Sequence, residues 1–460
     1  MEGPQTTPFA SSGTCHPIAC AGAVGGRPCF PLPLPIDTPF APVPYRLVVR
    51  NVWLLIFAAC FGMVACGGEN WPEFRGPRGD GSSDAVGLPL RWSETDAVKW
   101  KTPIHDRGWS SPVIWGNQVW LTTATADGKR LYAVCVARDS GKILHDILLF
   151  DDHQPEPINS LNSYASPTPV IEAGRVYVHF GTYGTACLDS ASGEKLWTRR
   201  DLHCNHFRGP GSSPVLFGNL LFLHYDGFDV QYVVALDKHT GGTVWKTDRS
   251  TDFAGADGDF RKAYSTPLVI GPPGQRQLVS AGSKAAMAYD PQTGKELWKV
   301  CYPIGFSTTS RPLLAAGMVL LSSGSGRSEL WAVRPGGRGD VTESHVVWKV
   351  AKGMPFKTSP TLAGGLVFTV NDGGVASCIE AGSGEMVWQR RIDGQYSASP
   401  LAADGRVYFF SHEGKTTVIE AGRAYKELAV NMLAAGFMAS PAVSGKALFL
   451  RTATHLYRIE

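Results

Sequence analysis

The sequence predicts an all-β fold, an eight-bladed β-propeller in which each blade is a four-stranded antiparallel sheet. The first observation is a proline that follows a small or hydroxylated residue in every unit but one (Arg311 precedes Pro312) and recurs at intervals from 40 residues (Pro360 to Pro400) to 55 residues (Pro112 to Pro167). A repeat period in the forties is typical of propellers. The eight prolines are Pro112, Pro167, Pro214, Pro267, Pro312, Pro360, Pro400 and Pro441.

The second observation is that every unit repeats the same order of strands and turns. A short apolar stretch follows the proline, then a glycine turn, and then a strong strand such as VYVHF (176–180) or VYFFS (407–411). A glycine-rich hairpin leads to a third strand, and a string such as ALDKHTGGTVWK (235–246) turns the chain into a fourth strand with a tryptophan. Short β-branched and aromatic runs between glycine turns predict strands, so each unit makes four of them.

Closure of the ring supports the count of eight. The last unit stops at Glu460, after its third strand HLYRIE, whereas residues 97–101 form an isolated strand with their own tryptophan, Trp100. If this N-terminal strand completes the last blade, two open sheet edges disappear. We therefore expect the propeller to span residues 97–460.

The residues before the propeller divide into three parts. Residues 1–45 are rich in proline and glycine and show no apolar periodicity, so we expect them to be disordered. Residues 46–66 place Arg46 and Arg50 before a short apolar run that ends at MVAC, which predicts a signal peptide with lipidation of Cys66. The alternative for residues 46–66 is a plain signal peptide or a retained anchor. Residues 67–96 form an N-terminal segment.

Charge and cysteine usage exclude some classes of function. The net charge of +3 over 460 residues gives no electrostatic reason to expect nucleic acid binding. Cys135, Cys187 and Cys378 occupy the same position in different units, so we expect them to be buried small residues that lie far apart. Cys204 and Cys301 lie in connections between units, and the sequence leaves open whether they form a disulfide bridge.

The fourth-strand string also carries a family resemblance. The pattern A-x-D-x-x-[ST]-G-x-x-x-W, at 187–197, 235–245, 288–298 and 378–388, resembles the tryptophan-docking repeat of pyrroloquinoline-quinone (PQQ) enzymes and of the BamB-type outer-membrane assembly lipoproteins. The first unit departs from it, because His145 stands where tryptophan is usual. WPEFRGP (71–77) looks like the opening of secreted PQQ-repeat propellers.

The resemblance implies two kinds of function. The first is a non-catalytic, monomeric scaffold or binding protein of the cell envelope, periplasmic, lipid-anchored or secreted, with envelope proteins or peptides as partners. The second is a dehydrogenase that holds PQQ and Ca²⁺ in its central funnel. Many alcohol dehydrogenases of this class carry a vicinal cysteine pair beside PQQ, and this sequence has none. We therefore expect no catalytic residue and no cofactor.

The segments that enter the blades predict a ligand site at the mouth of the funnel. They hold recurring cations and aromatic residues, and low-dielectric walls strengthen the field of such charges. We expect either an anionic small molecule or acidic peptide there, or local pairing of the cations with acids such as Asp106, Asp259 and Asp393. The candidate residues are Arg107, Trp109, Asn162, Tyr164, Arg208, Arg261, Lys262, Tyr264, Arg311, Lys357 and Tyr396.

Two further loops contain residue types that bind metals. One is His203-Cys204-Asn205-His206, and the other is Asp151-Asp152-His153 followed by Glu156 and Asn159. The first matches no strong zinc spacing, and the second has the composition of a solvated loop as much as that of a calcium site. We expect no metal site in either.

Overall fold

Eight four-stranded antiparallel sheets are present in a computed structural model of the chain, which describes residues 70–302 and 304–460. The predicted extension 1–45, the signal peptide 46–66 and the lipidation site Cys66 lie outside the described residues. Two strands precede the repeats, β1 (Ser82–Ser83) and β2 (Val98–Pro103). The prediction of an eight-bladed propeller is confirmed.

The strands of the first four blades follow in chain order. Blade 1 contains β3 (Val113–Trp115), β4 (Gln118–Ala124), β5 (Leu131–Ala137) and β6 (Ile143–Phe150), and blade 2 contains β7 (Val170–Glu172), β8 (Arg175–His179), β9 (Thr185–Asp189) and β10 (Lys195–Arg199). Blade 3 contains β11 (Val215–Phe217), β12 (Leu220–Asp226), β13 (Gln231–Asp237) and β14 (Thr243–Asp248), and blade 4 contains β15 (Leu268–Ile270), β16 (Gln277–Ala281), β17 (Ala285–Tyr289) and β18 (Glu296–Cys301).

The other four blades repeat the pattern. Blade 5 contains β19 (Leu313–Ala315), β20 (Met318–Ser322), β21 (Leu330–Val333) and β23 (Val346–Val350), while β22 (Gly339–Asp340) adds to the outer edge of blade 4. Blade 6 contains β24 (Thr361–Ala363), β25 (Leu366–Val370), β26 (Val375–Glu380) and β27 (Met386–Arg391). Blade 7 contains β28 (Leu401–Ala403), β29 (Arg406–Phe410), β30 (Lys415–Glu420) and β31 (Glu427–Met432), and blade 8 contains β32 (Ala442–Ser444), β33 (Ala447–Arg451) and β34 (His455–Ile459).

Helical structure in the described part of the chain is limited to single turns. These are α1 (Thr342–His345) and two 3₁₀ turns, Gly181–Tyr183 and Gly258–Arg261. Each of these helices is therefore far too short to reach from one side of a lipid bilayer to the other.

The N-terminal strand closes the ring as the sequence predicts. Strand β2 pairs antiparallel with β34, from Val98 opposite Ile459 to Pro103 opposite His455, and so completes blade 8. One register assignment was wrong. Strand β7 begins directly after Pro169 rather than after Pro167, because Thr168-Pro169 takes the position that Ser-Pro or Thr-Pro holds in most other blades.

Four of the repeated tryptophans each donate one hydrogen bond to the neighbouring blade, whereas the buried indole N–H of Trp348 has no hydrogen-bond partner within the described residues. The indole N–H of Trp197 donates to the carbonyl of Lys238 in the next blade at 3.0 Å. Its ring packs on Gly241, which has a φ of 73°, and a Cβ there would lie 2.7 Å from the ring. Both observations explain the glycine of the turn, because the turn needs a positive φ and the tryptophan of the preceding blade needs a flat contact there. Trp100, Trp245 and Trp388 donate to the next blade in the same way.

The degenerate units depart from this pattern for a visible reason. Trp298 of blade 4 donates to Gln277 within its own blade at 2.8 Å, because blade 5 has Val333-Arg334-Pro335 where the Asp turn is usual. In blade 1, His145 replaces the tryptophan and stacks on Trp120, with ring centroids 5.5 Å apart. The apolar clusters of the protein still lie between adjacent blades, such as the cluster shared by blades 4 and 5.

The N-terminal segment crosses the innermost strands and joins blades that are distant in sequence. Trp71 pairs with Ile114 of blade 1, the carbonyl of Pro72 accepts from Ile171 of blade 2, and β1 pairs parallel with β28 of blade 7. Arg75 is buried between them, and burial lowers its pKa to about 9. Its guanidinium donates to the carbonyls of Asp80, Pro360 and Pro400.

Candidate functional site

A ring of hydroxyl groups surrounds the axis where the innermost strands begin. The side-chain oxygen of each ring residue accepts a backbone N–H from the preceding blade at 2.9–3.1 Å, and the donor is another ring residue in every case except Ser359, whose donor is Arg311. Blade 5 interrupts the ring, because Arg311 stands at the position of the hydroxyl residue. The hydroxyl ring consists of Ser111, Thr168, Ser213, Thr266, Ser359, Ser399 and Ser440.

A cavity of about 590 Å³ lies on the axis next to this ring, which we call the central cavity. Six of the seven ring residues line it, all except Ser359, and Phe74 of the N-terminal segment lines it as well. Hydroxyls from Ser166, Ser307, Thr309, Ser325 and Ser397 add to the polar surface. The aromatic walls are Trp109, Tyr264, Phe306 and Phe356, all half-buried. A pocket of this size is within the range of small-molecule sites, roughly 300–1,000 Å³.

Five of the eleven sequence-predicted site residues line the central cavity. Trp109 donates its ring N–H to the carbonyl of Leu161 at 3.1 Å. The Asn162 amide donates to the carbonyls of Arg208 and Pro210 and so joins two connections. The five lining residues are Trp109, Asn162, Arg208, Tyr264 and Lys357.

The other six predicted residues lie outside the lining. Arg107 stacks on Trp109 at 5.0 Å, Arg261 lies over Phe253, and Lys262 is fully buried. Tyr164 and Tyr396 are buried, and their hydroxyls donate to the carbonyls of Glu156 and Asp393. Arg311 is buried too, but its side chain points to the N-terminal segment, where it pairs with Glu73 at 2.9 Å.

The cations of the cavity are neutralised by nearby acids. Arg208 makes a two-pronged ion pair with Asp259, both contacts at 2.7 Å, and this hydrogen bonding raises the pKa of the guanidinium. Lys357 lies 3.2 Å from Asp372. Asp106 does not pair with Arg107, because its carboxylate contacts His105 at 2.7 Å instead. The guanidinium of Arg107 donates to the carbonyl of Ser160.

A buried cluster lies behind the wall, where the loop 203–206 enters the protein. Nε2 of His206 accepts the backbone N–H of Thr182 at 2.9 Å, and Nδ1 lies 3.5 Å from Nζ of Lys262. Burial lowers the pKa of both groups, and burial raises the pKa of the neighbouring Cys204 thiol to about 12. Because Nε2 is an acceptor, a neutral His206 carries its proton on Nδ1 and offers it to Lys262.

The two loops with metal-binding residue types are held by bonds to residues outside the loops. Asp152 pairs with Arg200, and Nε2 of His153 bonds to the carbonyl of Gly128 at 2.8 Å. Among residues 70–302 and 304–460, no group of three or more His, Cys, Asp or Glu side chains is arranged to hold a metal ion. Cys204 and Cys301 are both free thiols, and Cys135, Cys187 and Cys378 are buried as predicted.

The lining offers few free oxygen ligands for Ca²⁺. Calcium takes six to eight oxygen ligands, with carboxylates prominent among them. Asp259 is the single carboxylate residue among the described residues that line the cavity, and Arg208 engages both of its oxygens. The oxygen of the Asn162 amide accepts from the backbone N–H of Ser163 and the hydroxyl of Ser166. A calcium site would have to break these contacts first.

Sequence reasoning missed the hydroxyl ring and part of the aromatic wall. The signal for the ring was present, because the residue before the repeated proline is Ser or Thr in seven of the eight correctly registered units. Phe306 and Phe356 lie in the same entering segments as the predicted residues and were visible there. Phe74 had no signal of its own, because it is brought to the axis by contacts with residues far along the chain, such as Arg311 at a separation of 237.

Comparison with solved structures identifies the fold first. The fold is similar to a europium-containing methanol dehydrogenase, with a TM-score of 0.60 and 12% identity over 84% of this chain and 90% of that one. It is similar to the quinohemoprotein alcohol dehydrogenase of Comamonas testosteroni, with a TM-score of 0.60 and 12% identity over 85% and 80% of the two chains. BamB from Moraxella catarrhalis has a TM-score of 0.56 and 12% identity over 78% and 99%. The chain thus has the propeller shared by these enzymes and BamB.

The sequence comparison then names the family. The model of the family described as outer membrane protein assembly factor BamB matches residues 93–334 and 337–427, so the chain belongs to this family. A curated relative, the outer membrane protein assembly factor BamB of Yersinia pestis, is 24% identical over 169 residues, which is 35% of this chain. The match covers 39% of the length of that relative.

Proposed function

We propose that this chain is a non-catalytic scaffold of the cell envelope that docks proteins of outer-membrane assembly on the mouth of its funnel. The observation that carries the proposal is a rim of exposed apolar side chains, one on each of four successive connections between blades 1 and 5. Their exposed fractions are 52%, 45%, 42% and 54%. This apolar rim consists of Leu161, Phe207, Phe260 and Ile304.

The contacts of the rim support a docking surface rather than scattered exposure. Phe260 meets Phe306 of the cavity wall with ring centroids 4.7 Å apart, and Phe207 meets Phe228 at 5.1 Å. The guanidinium of Arg208 stacks on Phe207 at 5.1 Å. Aromatic residues and arginine are enriched where proteins bind one another, and aromatic side chains supply large contact areas there.

The name of the matching family supports the choice of partner. The relatives in Yersinia pestis and Moraxella catarrhalis are named for outer-membrane protein assembly or for BamB. A cell-envelope location follows for this chain as part of the proposal. Lipidation of Cys66 would hold the propeller at a membrane surface, and that anchor stays a prediction.

Photo-crosslinking at the rim tests the proposal. A photoreactive amino acid replaces Phe207 or Phe260 in the full chain, and the matched control replaces Val244, which is 50% exposed on the outer strand of blade 3. We expect crosslinks to outer-membrane assembly proteins from the two rim positions and none from Val244. Equal yields at all three positions, or none from the rim, would overturn the proposal.

A second experiment addresses the dehydrogenase alternative, which the similarity to PQQ enzymes favours. The purified chain is incubated with PQQ and Ca²⁺, and dye-coupled oxidation of primary alcohols is followed by absorbance. We expect no turnover, because the acid in the cavity is already paired with Arg208. Saturable PQQ binding with Ca²⁺-dependent turnover would replace the scaffold proposal by a catalytic one.

A further inference from the structure

The central cavity has a polar floor that uses only part of its hydrogen-bonding capacity. Each hydroxyl oxygen of the ring accepts one backbone N–H from the neighbouring blade. Within the described chain, 70–302 and 304–460, none of the seven donates its own hydrogen to another protein group. A serine or threonine hydroxyl has one donor hydrogen and two lone pairs. The floor is therefore a circle of hydroxyls with unused donors, each residue only 1–4% exposed, and the more exposed Ser307, Ser325 and Ser397 line the same cavity.

The walls add apolar faces above this floor. Trp109 and Tyr264 lie in the connections before blades 1 and 4, and Phe306 and Phe356 lie in those before blades 5 and 6. All four rings are half-buried and line the cavity, so each keeps a surface open to a ligand. Aromatic faces bind flat, weakly polar surfaces well, because they bury large areas. The ligand should therefore combine apolar faces with many hydroxyl-sized polar groups.

The charges of the cavity select against an anion. Both Arg208 and Lys357 have an acidic partner within 3.2 Å, and Arg311 points away to Glu73. An anionic ligand would need to displace Asp259 or Asp372 or to lie beside it, at an electrostatic cost. A neutral ligand avoids this cost.

We propose that the central cavity binds a short neutral saccharide. Its ring C–H faces would stack on Trp109 and the other aromatic walls, and its hydroxyls would bond with the hydroxyl ring. The cavity volume of about 590 Å³ accommodates a ligand of this class. The cavity and the apolar rim share Leu161, but Phe207 and Phe260 of the rim do not line the cavity, so saccharide binding does not require a docked partner protein.

Titration calorimetry on the full chain tests the proposal with neutral and anionic probes. The neutral probes are maltotriose, cellotriose and the trisaccharide of N-acetylglucosamine, and the anionic probes are citrate and inorganic phosphate. We expect saturable binding of at least one neutral trisaccharide, and no binding of either anion. The proposal is overturned if none of the three saccharides binds at about 10 mM, which corresponds to about −2.7 kcal/mol. Binding of the anions in place of the saccharides also overturns it.

Two wall variants and one control locate the binding. Trp109→Ala and Phe356→Ala each remove one ring, and we expect either to weaken saccharide binding at least tenfold. The control, Leu196→Ala, changes an exposed side chain on the outer strand of blade 2 and should leave binding unchanged. Circular dichroism checks that each variant is folded. If Trp109→Ala does not fold, the binding measurement on Phe356→Ala decides the test. Binding that neither wall variant weakens would place the saccharide elsewhere and refute the assignment. Crosslinking at the apolar rim should be the same with and without the saccharide probe.

Discussion

Replacement of Arg311 by serine tests how the N-terminal segment is held against the propeller. Arg311 is buried and donates to the carboxylate of Glu73 at 2.9 Å, to the carbonyl of Pro267 at 3.1 Å and to the carbonyl of Phe74. Arg311→Ser removes these three bonds and leaves Glu73 mostly buried without its cation. The same change restores a hydroxyl at the one position where the hydroxyl ring is interrupted.

The two effects differ in size. Removal of one partner from a buried ion pair costs about 3–5 kcal/mol, because the remaining charge is uncompensated. A restored hydrogen bond in the ring stabilises by about 1 kcal/mol. We therefore expect Arg311→Ser to lower the free energy of unfolding by about 2–4 kcal/mol at pH 8. Arg78→Ser is the matched control, because Arg78 pairs with the exposed Asp84 and such pairs contribute about 0–1 kcal/mol.

The loss should also depend on pH. Burial raises the pKa of Glu73 above its ordinary value even beside Arg311, and loss of the cation would raise it further. A carboxyl whose pKa is raised in the folded state destabilises the fold above that pKa, and the cost disappears as falling pH protonates it. The deficit of Arg311→Ser should therefore be smaller at pH 5 than at pH 8.

Urea unfolding followed by tryptophan fluorescence measures these values for the wild type, each single variant and the double variant Glu73→Gln/Arg311→Ser. We expect the double variant to lose less unfolding free energy than the sum of the two single losses, because it contains neither an unpaired Glu73 carboxylate nor an unpaired Arg311 guanidinium. A loss below about 1 kcal/mol for Arg311→Ser, or additive losses in the double variant, would show that the ion pair does not hold the segment.

Three further predictions concern the blades. In urea titrations, Trp197→Ala should lower the free energy of unfolding by about 3–5 kcal/mol. Trp197→Phe should lower it by less, because phenylalanine keeps part of the contact with the next blade. Equal losses for the two variants would argue against the packing role. Asp226→Asn should cost about 3–5 kcal/mol in the same assay, because Arg249 is buried against it at 2.5 and 2.8 Å, and a loss under about 1 kcal/mol would contradict this. Iodoacetamide at pH 8 should modify the partly exposed Cys301 faster than Cys204, by peptide mass spectrometry; equal rates would show that the loop opens.

The repeat allowed the fold to be predicted because each blade depends on local chemistry. A turn that needs a positive φ requires glycine, and a tryptophan at fixed spacing from it finds the next blade. The exception was Pro167, because two prolines lie two residues apart and local spacing alone did not decide which one begins the strand. The hydrogen bond from Ser111 to Thr168 across two blades settles that register.

The candidate site was less predictable, because composition does not say where a side chain points. The sequence alone determined the propeller, its closure by the strand at Trp100, and the segments that surround the funnel. Only the tertiary structure decided that Arg208 is paired, that Arg311 turns to Glu73, and that Phe74 comes to the axis. Those outcomes depend on contacts between residues far apart in the chain, whereas a repeat is written into each blade separately.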